Sequence, residues 1–383
     1  MELNELAGKI LIIDDSPANL RLLSQILIEH GYQVRAVTNG PHALESMKVD
    51  RPDLVLLDIR MPGMDGFEVC QQIKGNAQTR DVPVLFISAL DEIHDKMKAF
   101  SVGGLDYITK PFQMEEVLAR VKTHLLLWRL QNDLKEANQR MQRELILAAQ
   151  VQSSIMRKPT PNPPGWQISA KVIPAKLTCG DFLDVIYLPD GIVAILIADV
   201  VDKGVGAALF MAMSCALLRT YVHEHPADPE RVFQAVNQRI TEDTETEQYV
   251  TVFLAMMNLE TGELIYANAG HNPPVIVHNG INETVESLER TGMALGVLED
   301  VNWEQRRVQL IPGDTLVLYT DGITDAENQD HEFYGYDRLF KSIQENKGKK
   351  AEEFRKSLLD SVFEFTQEAP QSDDIALIVL VRE

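Results

Sequence analysis

"AILIADVVDKGVGAALFMA" (residues 194–212) drives an apolar run into one carboxylate, Asp199. It then turns through Asp202, Lys203, Gly204 and Gly206 into a second apolar run. This pattern reads as a buried strand, a tight loop and a long apolar helix. A buried ionised carboxylate is costly unless a cation meets it. Lys203 is one candidate for that cation and a metal ion is another, and the stretch alone leaves the choice open.

Outward from this stretch, 383 residues are too many for one ordinary domain and predict two, of roughly 100–200 residues each. A composition of 45% hydrophobic and 24% charged residues is that of a globular protein. No run is expected to approach the ~20 apolar residues that span a bilayer. The opening MELNELAGKI lacks a charged segment followed by an apolar one, so the expected location is cytoplasmic, with no membrane partner. Cys70, Cys179 and Cys215 are too few and too scattered for a disulfide framework or a zinc motif, and are read as reduced thiols. A formal net charge of −21 disfavours direct nucleic-acid binding and favours protein partners and divalent cations.

From Lys9 to about residue 122, short apolar runs (KILII, YQVRAV, DLVLLD, VPVLFIS, LDYITK) alternate with amphipathic segments. That alternation predicts a five-stranded, doubly wound parallel α/β domain with its chemistry at the carboxyl ends of the strands. Asp14 and Asp15 close the first strand, Asp58 the third, Ser88 the fourth and Lys110 the fifth. Three converging carboxylates suit a hard divalent ion such as Mg²⁺, and Lys110 adds a point charge suited to a phosphoryl group.

The "DD" at 14–15, "LLDIRMPGMDG" at 56–66, Ser88 after "LFI" and "YITKPF" at 107–112 resemble the receiver domain of two-component response regulators, a flavodoxin-like fold. The resemblance implies that Asp58 accepts a phosphoryl group from a sensor histidine kinase or phosphotransfer protein. It further implies that Asp14, Asp15, Asp58 and the Arg60 backbone carbonyl hold Mg²⁺. Ser88 and Lys110 would grip the phosphoryl oxygens, Tyr107 would be the switch aromatic, and Lys110-Pro111 would be cis.

No proline falls between Pro111 and Pro159, and the intervening residues are good helix formers. Leu127, Leu130, Leu134, Ala137, Met141, Ala148, Val151 and Ile155 follow a three-four spacing. One long helix is expected over about 113–158, with residues 123–158 forming a coiled-coil connector and a parallel homodimer. A helix packed on its own second domain is the alternative. "KPTPNPPG" (158–165) ends the helix.

Strand-like runs dominate residues 159–383, with helices expected near 205–223, 229–243 and 351–366. "LPDGIVA" and "NLETGELIY" read as hairpins, which predicts an α+β sandwich of two antiparallel sheets flanked by helices. Asp181 opens a strand, Asp199 and Asp321 close strands, and Asp373 and Asp374 head the last one. Strand-end carboxylates crowded into one cleft repel each other, and two hard divalent ions, Mn²⁺ or Mg²⁺, would relieve this. Such a pair suits phosphate hydrolysis.

"CGDFLDV" (179–185), "ADVVDKGVGAAL" (198–209), "NAGHNPP" (268–274), "LYTDGITDAEN" (318–328), "FYGYDRL" (333–339) and "SDDIALIVL" (372–380) resemble PPM-type metal-dependent Ser/Thr protein phosphatases, most closely their bacterial sporulation and stress-response branch. "ELILAAQVQSSI" (144–155) resembles the helix preceding the domain in that branch. The resemblance implies that Asp199 bridges two metals, with the Val200 carbonyl as a further ligand. Asp181 would hold one ion, and Asp321 and Asp373 the other. Hydrolysis of phosphoserine or phosphothreonine would need no covalent enzyme intermediate, and the implied substrate is a phosphorylated anti-sigma factor antagonist. His271 reads as a packing residue.

The sequence departs from the family at two places. Cys179 replaces the first glycine of Gly-Gly-Asp, and Asp199-Val200-Val201-Asp202 stands where Asp-Val-Ser-Gly is usual, so that Asp202 takes a glycine position of positive φ, a region Asp tolerates better than most. The alternative reading is therefore a catalytically inactive adaptor that binds a stress sigma factor or its regulator under receiver control.

Overall fold

The computed structural model describes residues 8–89, 93–156, 162–244, 248–279 and 285–383. The chain divides into two compact units, Met1–Arg140 and Met141–Glu383.

In the first unit β1 (Lys9–Ile13), α1 (Pro17–Glu29), β2 (Gln33–Val37), α2 (Gly40–Val49), β3 (Leu54–Asp58), α3 (Gly66–Gly75), β4 (Val84–Ala89), α4 (Ile93–Ser101) and β5 (Asp106–Lys110) alternate in sequence. The strands form one parallel sheet in the order β2-β1-β3-β4-β5. Successive side chains of a strand feed opposite faces, and both faces here are covered. Leu11, Ile13, Val55 and Leu57 enter one apolar core, and Ile10, Ile12, Leu54 and Leu56 enter the other. This is the doubly wound arrangement expected from the alternation of runs.

α5 (Met114–Met156) is a single helix of 43 residues, as the proline-free stretch predicts. Val117, Val121 and Leu125 are buried in the first unit. Beyond them Leu127, Leu130, Leu134, Met141 and Val151 are at least half exposed. Ile155 and Met156 then pack on the second unit's core. The helix thus leaves its middle stretch of apolar residues uncovered and packs its last turn on the second unit, as the packed-helix alternative expects there.

The second unit holds β6 (Trp166–Ile173), β7 (Phe182–Tyr187), β8 (Ile192–Val200), α6 (Val205–Glu224), α7 (Pro229–Asp243), β9 (Val250–Asn258), β10 (Glu263–Ala269), β11 (Val275–Val277), β12 (Val285–Ser287), β13 (Arg306–Gln309), β14 (Thr315–Tyr319), α8 (Asp321–Thr324), α9 (Gly335–Glu345), α10 (Ala351–Thr366) and β15 (Ile375–Arg382). Two antiparallel sheets form, β13-β10-β9-β8-β7 and β12-β11-β14-β15-β6. Ile195, Ile197 and Phe253 of one sheet meet Leu316, Leu318 and Ile378 of the other between the layers. The outer faces pack on helices: Leu196 and Leu254 with Phe210 and Phe233, and Val317 and Leu377 with Leu339 and Phe354. Both expected hairpins are present, β7 with β8 and β9 with β10. The tight turn of the first uses positive φ at Asp190 and Gly191, which Gly and Asp adopt more cheaply than other residues.

One expectation is corrected. α6 is 20 residues long with a mean hydropathy of 1.6, and by length and composition it could cross a membrane. Its apolar character serves the core instead, because Ala207, Phe210, Met211, Cys215, Leu218 and Val222 are buried beneath β7, β8 and α7.

Candidate functional sites

In the first unit Asp14, Asp15 and Asp58 bring carboxylate oxygens within 4.8 Å of one another at the strand ends. Lys110 Nζ lies 3.0 Å from Asp58 and 3.1 Å from Asp14. Asp14 is also held by the Asn19 side-chain amide and the Ser16 backbone N–H. Burial raises the Asp58 carboxyl above its ordinary range, with Asp14 and Asp15 pushing the same way against Lys110. Burial alone would lower the Lys110 ammonium, but the bonds and charges of Asp58 and Asp14 outweigh it. Ser88 is buried at the end of β4, and Arg60 lines an open hollow with Asp15. Tyr107 is half-buried, edge-on to Phe100 and facing the Arg120 guanidinium. Lys110-Pro111 is cis. Gly66 is required sterically, since a Cβ there would meet the Asp58 carbonyl at 2.2 Å.

In the second unit Asp199, Val200, Asp321 and Asp373 line one cavity of about 350 Å³, together with Lys203, Thr251, His271, Asn272, Arg290 and Asp374. Asp181 is buried next to the cavity-lining Gly180. The structure thus brings together all four carboxylates singled out from the sequence.

Lys203 Nζ sits 2.9 Å from Asp373 and donates to the Ser372 carbonyl at 2.8 Å, so it serves the outer end of the cluster. Burial, followed by repulsion from Asp321, pushes the Asp199 carboxyl up to about 7. Burial and the Asp199 charge raise Asp181 as well, and burial and Asp373 raise Asp321. Asp181 Oδ2 is buried with no hydrogen-bond partner among the described residues. An orphaned carboxylate oxygen among mutually repelling carboxylates fits hard divalent cations.

Asp202 has φ +78°, and its Oδ1 accepts from the Lys203 N–H at 2.8 Å, so aspartate occupies the glycine-like position with its own turn bond. Gly322 has no room for a side chain, since a Cβ would meet the Asp374 carbonyl at 1.8 Å. At Cys179 the thiol donates to the Asp181 carbonyl at 3.2 Å, and all three cysteines are free.

Sequence reasoning placed Asp374 at the head of the last strand without giving it a role, and missed Arg290 and Gln152. Asp374 accepts the Ala175 and Gly180 N–H groups, each at 2.7 Å, and so holds the loop before Asp181; the doubled "DD" was its signal. Arg290 gives the cavity a cationic rim. Its Nε donates to the His271 carbonyl at 3.2 Å, and no carboxylate pairs with it among the described residues. Gln152 grips the Cys179 backbone from α5. His271 lines the cavity from a buried position: burial lowers the imidazole to about 3, Arg290 pushes the same way, and Nδ1 bonds to Thr251 at 2.9 Å.

A parallel sheet with an Asp-Lys cluster at its strand ends, followed by a two-sheet sandwich whose loops gather aspartates, defines a receiver domain joined to a PP2C-type phosphatase domain. Residues 10–122 match the family described as Response regulator receiver domain, and residues 189–383 match Stage II sporulation protein E (SpoIIE). The chain belongs to the SpoIIE family of phosphatase domains, with a receiver at its amino-terminal side.

Among curated relatives, it is 31% identical over 254 residues to phosphoserine phosphatase RsbU of Bacillus subtilis, covering 65% of this chain and 73% of that one. It is 32% identical over 270 residues to protein IcfG of Synechocystis sp., covering 62% of this chain but only 41% of that protein's length. The SiaA-PP2C domain of Pseudomonas aeruginosa superposes with a TM-score of 0.55 at 22% identity, over 64% of this chain and 98% of that one, a likeness of fold.

Proposed function

We propose that this protein is a metal-dependent Ser/Thr protein phosphatase whose activity is set by phosphorylation of Asp58. The single observation that carries the reading is the cavity holding Asp199, Asp321 and Asp373 beside buried Asp181, with the Arg290 guanidinium, unpaired with any carboxylate among the described residues, in its lining. Asp181, Asp199 and the Val200 carbonyl would hold one Mn²⁺ or Mg²⁺, and Asp321 and Asp373 a second, with Asp199 between them. Ions bound there would supply Lewis-acid activation of water and neutralise charge on the phosphate.

The chain's own groups divide the remaining work. Arg290 presents a planar fork suited to phosphoryl oxygens. Lys203 holds Asp373 in place, and Asp374 holds the Gly180 backbone. In the first unit Asp58 would accept the phosphoryl group of a histidine kinase or phosphotransfer protein. Mg²⁺ would sit on Asp14, Asp15, Asp58 and the Arg60 carbonyl, with Ser88, Tyr107 and Lys110 reading the modification.

The likeness to RsbU supports a phosphoserine protein as substrate, and we assign an anti-sigma factor antagonist. The exposed stripe from Leu127 to Val151 supports a parallel homodimer through α5. Residues 1–122 would then be the receiver, 123–158 the connector and 159–383 the phosphatase; the last boundary falls within 157–161, outside the described residues. The adaptor alternative rested on the altered loop at Val201 and Asp202. Asp202 adopts the left-handed conformation required there, which favours the enzyme.

The test is Mn²⁺-dependent hydrolysis of para-nitrophenyl phosphate and a phosphoserine peptide, with and without beryllofluoride, beside Asp321→Asn. Metal-dependent turnover should fall at least about 100-fold in the variant, the upper end for lesions one layer further from the metal. Turnover absent in the wild type in both states, with the protein folded, would transfer the assignment to the adaptor.

A further inference from the structure

The second unit has another pocket, of about 100 Å³, that the chemistry above leaves unused. Its walls are α8 with the turn after it (Gly322, Ala326), the end of α10 (Val362, Phe363) and the loop leading to β15 (Ala369, Ser372). α10 stops at Thr366, Gln367 turns the chain at φ +52°, and the returning loop leaves a hollow between the helix end and α8. Ser372 Oγ donates to the Asp325 carbonyl at 3.4 Å, which ties the loop to the α8 turn. Phe363 stands at the lip, 42% exposed.

Size excludes one class of occupant. Pockets that hold small-molecule ligands measure roughly 300–1,000 Å³, so this one takes a single side chain of a larger partner, as the anchor pockets of protein interfaces do. Position names the partner. Gly322 follows Asp321 and Ser372 precedes Asp373, so the pocket and the carboxylate cavity meet across single peptide units, a Cα spacing of about 3.8 Å. Lys203 holds that wall from the cavity side, through the Ser372 carbonyl and the Asp373 carboxylate. A polypeptide whose phosphoserine enters the cavity brings its neighbouring residues, at ~3.3–3.6 Å each, to the pocket. Lining chemistry sets the class of side chain. Glu327 is the one charged residue in the lining among the described residues, and its carboxylate is bonded to His331.

We propose that this pocket receives an apolar side chain of the phosphoprotein substrate, a few residues from the phosphoserine, and so selects which phosphoserines are hydrolysed. The inference rests on the phosphatase-site reading above and names the substrate feature that site would read.

The experiment gives the full-length protein, with Mn²⁺, short alanine-and-glycine peptides carrying one phosphoserine. A single leucine is moved from four residues before the phosphoserine to four after, and para-nitrophenyl phosphate is the reference with no flanking side chain. At one or two positions leucine should raise kcat/KM about 10-fold, the lower end for a group fitted to an apolar pocket, and lysine there should not. Ala369→Leu plugs the pocket from the loop, and Phe363→Ser removes its lip. Both variants should lose the leucine preference and keep the wild-type turnover of para-nitrophenyl phosphate.

No preferred leucine position, or a preference that survives in either variant, would overturn the proposal while leaving the phosphatase standing. Lysine preferred over leucine would overturn the apolar assignment. Equal losses on peptide and para-nitrophenyl phosphate in both variants would overturn it too, because the pocket would then support the loops of Asp321 and Asp373 and not the substrate. Wild-type turnover of para-nitrophenyl phosphate that is absent, or that Asp321→Asn does not reduce, would overturn the site reading itself, and this proposal with it.

Discussion

At the first unit's site Lys110 lies within 3.1 Å of both Asp14 and Asp58. In the second unit, Lys203 reaches Asp373, and no ion pair reaches Asp181 or Asp199 among the described residues. Both are strand-end acidic clusters on apolar sheets, yet among the described residues only the first has a lysine at its centre. The consequence is visible in the protonation of each. Lys110 restrains the rise of Asp58, whereas burial and the charge of Asp321 drive Asp199 up to about 7. A cluster with a built-in lysine suits a carboxylate that forms a covalent bond and must stay ionised to do so. A cluster without one depends on imported charge.

Three outcomes test the comparison, from the largest expected effect down. Asp58→Asn removes the attacking oxygen and should abolish ³²P incorporation from a cognate kinase or acetyl phosphate, while Mn²⁺-dependent turnover in the second unit persists. Loss of both together would mean that the two clusters are not independent.

The second outcome concerns pH. A carboxyl held near 7 instead of 3.8 retains, in the folded state, a proton that the unfolded chain has released. That contribution is complete below about pH 4 and is lost as the pH rises through about 7. Without divalent ions, the wild type should lose up to a few kcal/mol across this window relative to Asp199→Asn, read from urea midpoints. Mn²⁺ should remove the difference in slope, and a flat difference without metal would contradict the assigned burial. The third and smallest effect is at Asp202→Gly. Glycine accepts φ +78° without strain but loses the bond to the Lys203 N–H, so stability should change by no more than about 1 kcal/mol. A larger loss would make the Asp202 carboxylate a part of the cluster.

Most of the fold was legible because its signals are local. Apolar runs bounded by turns gave the parallel sheet of the first unit, and two hairpin turns announced the antiparallel sheets of the second. The carboxylates at 181, 199, 321 and 373 were legible for the same reason, each standing where an apolar strand begins or ends. α9 carried no reading of its own, although "FYGYDRL" covers its start. α6 was under-read, because a core helix buried beneath a sheet and a membrane span share one composition.

What the sequence by itself determined was which residues end each strand and which run forms each helix, since backbone conformation and burial periodicity are written in neighbouring residues. Only the tertiary structure decided that Lys203 pairs with Asp373 and not Asp199, that Arg290 faces the cavity, and that Gln152 clamps Cys179. Each of these joins residues far apart in the chain, and their meeting depends on how sheets and helices stack, which no local pattern encodes.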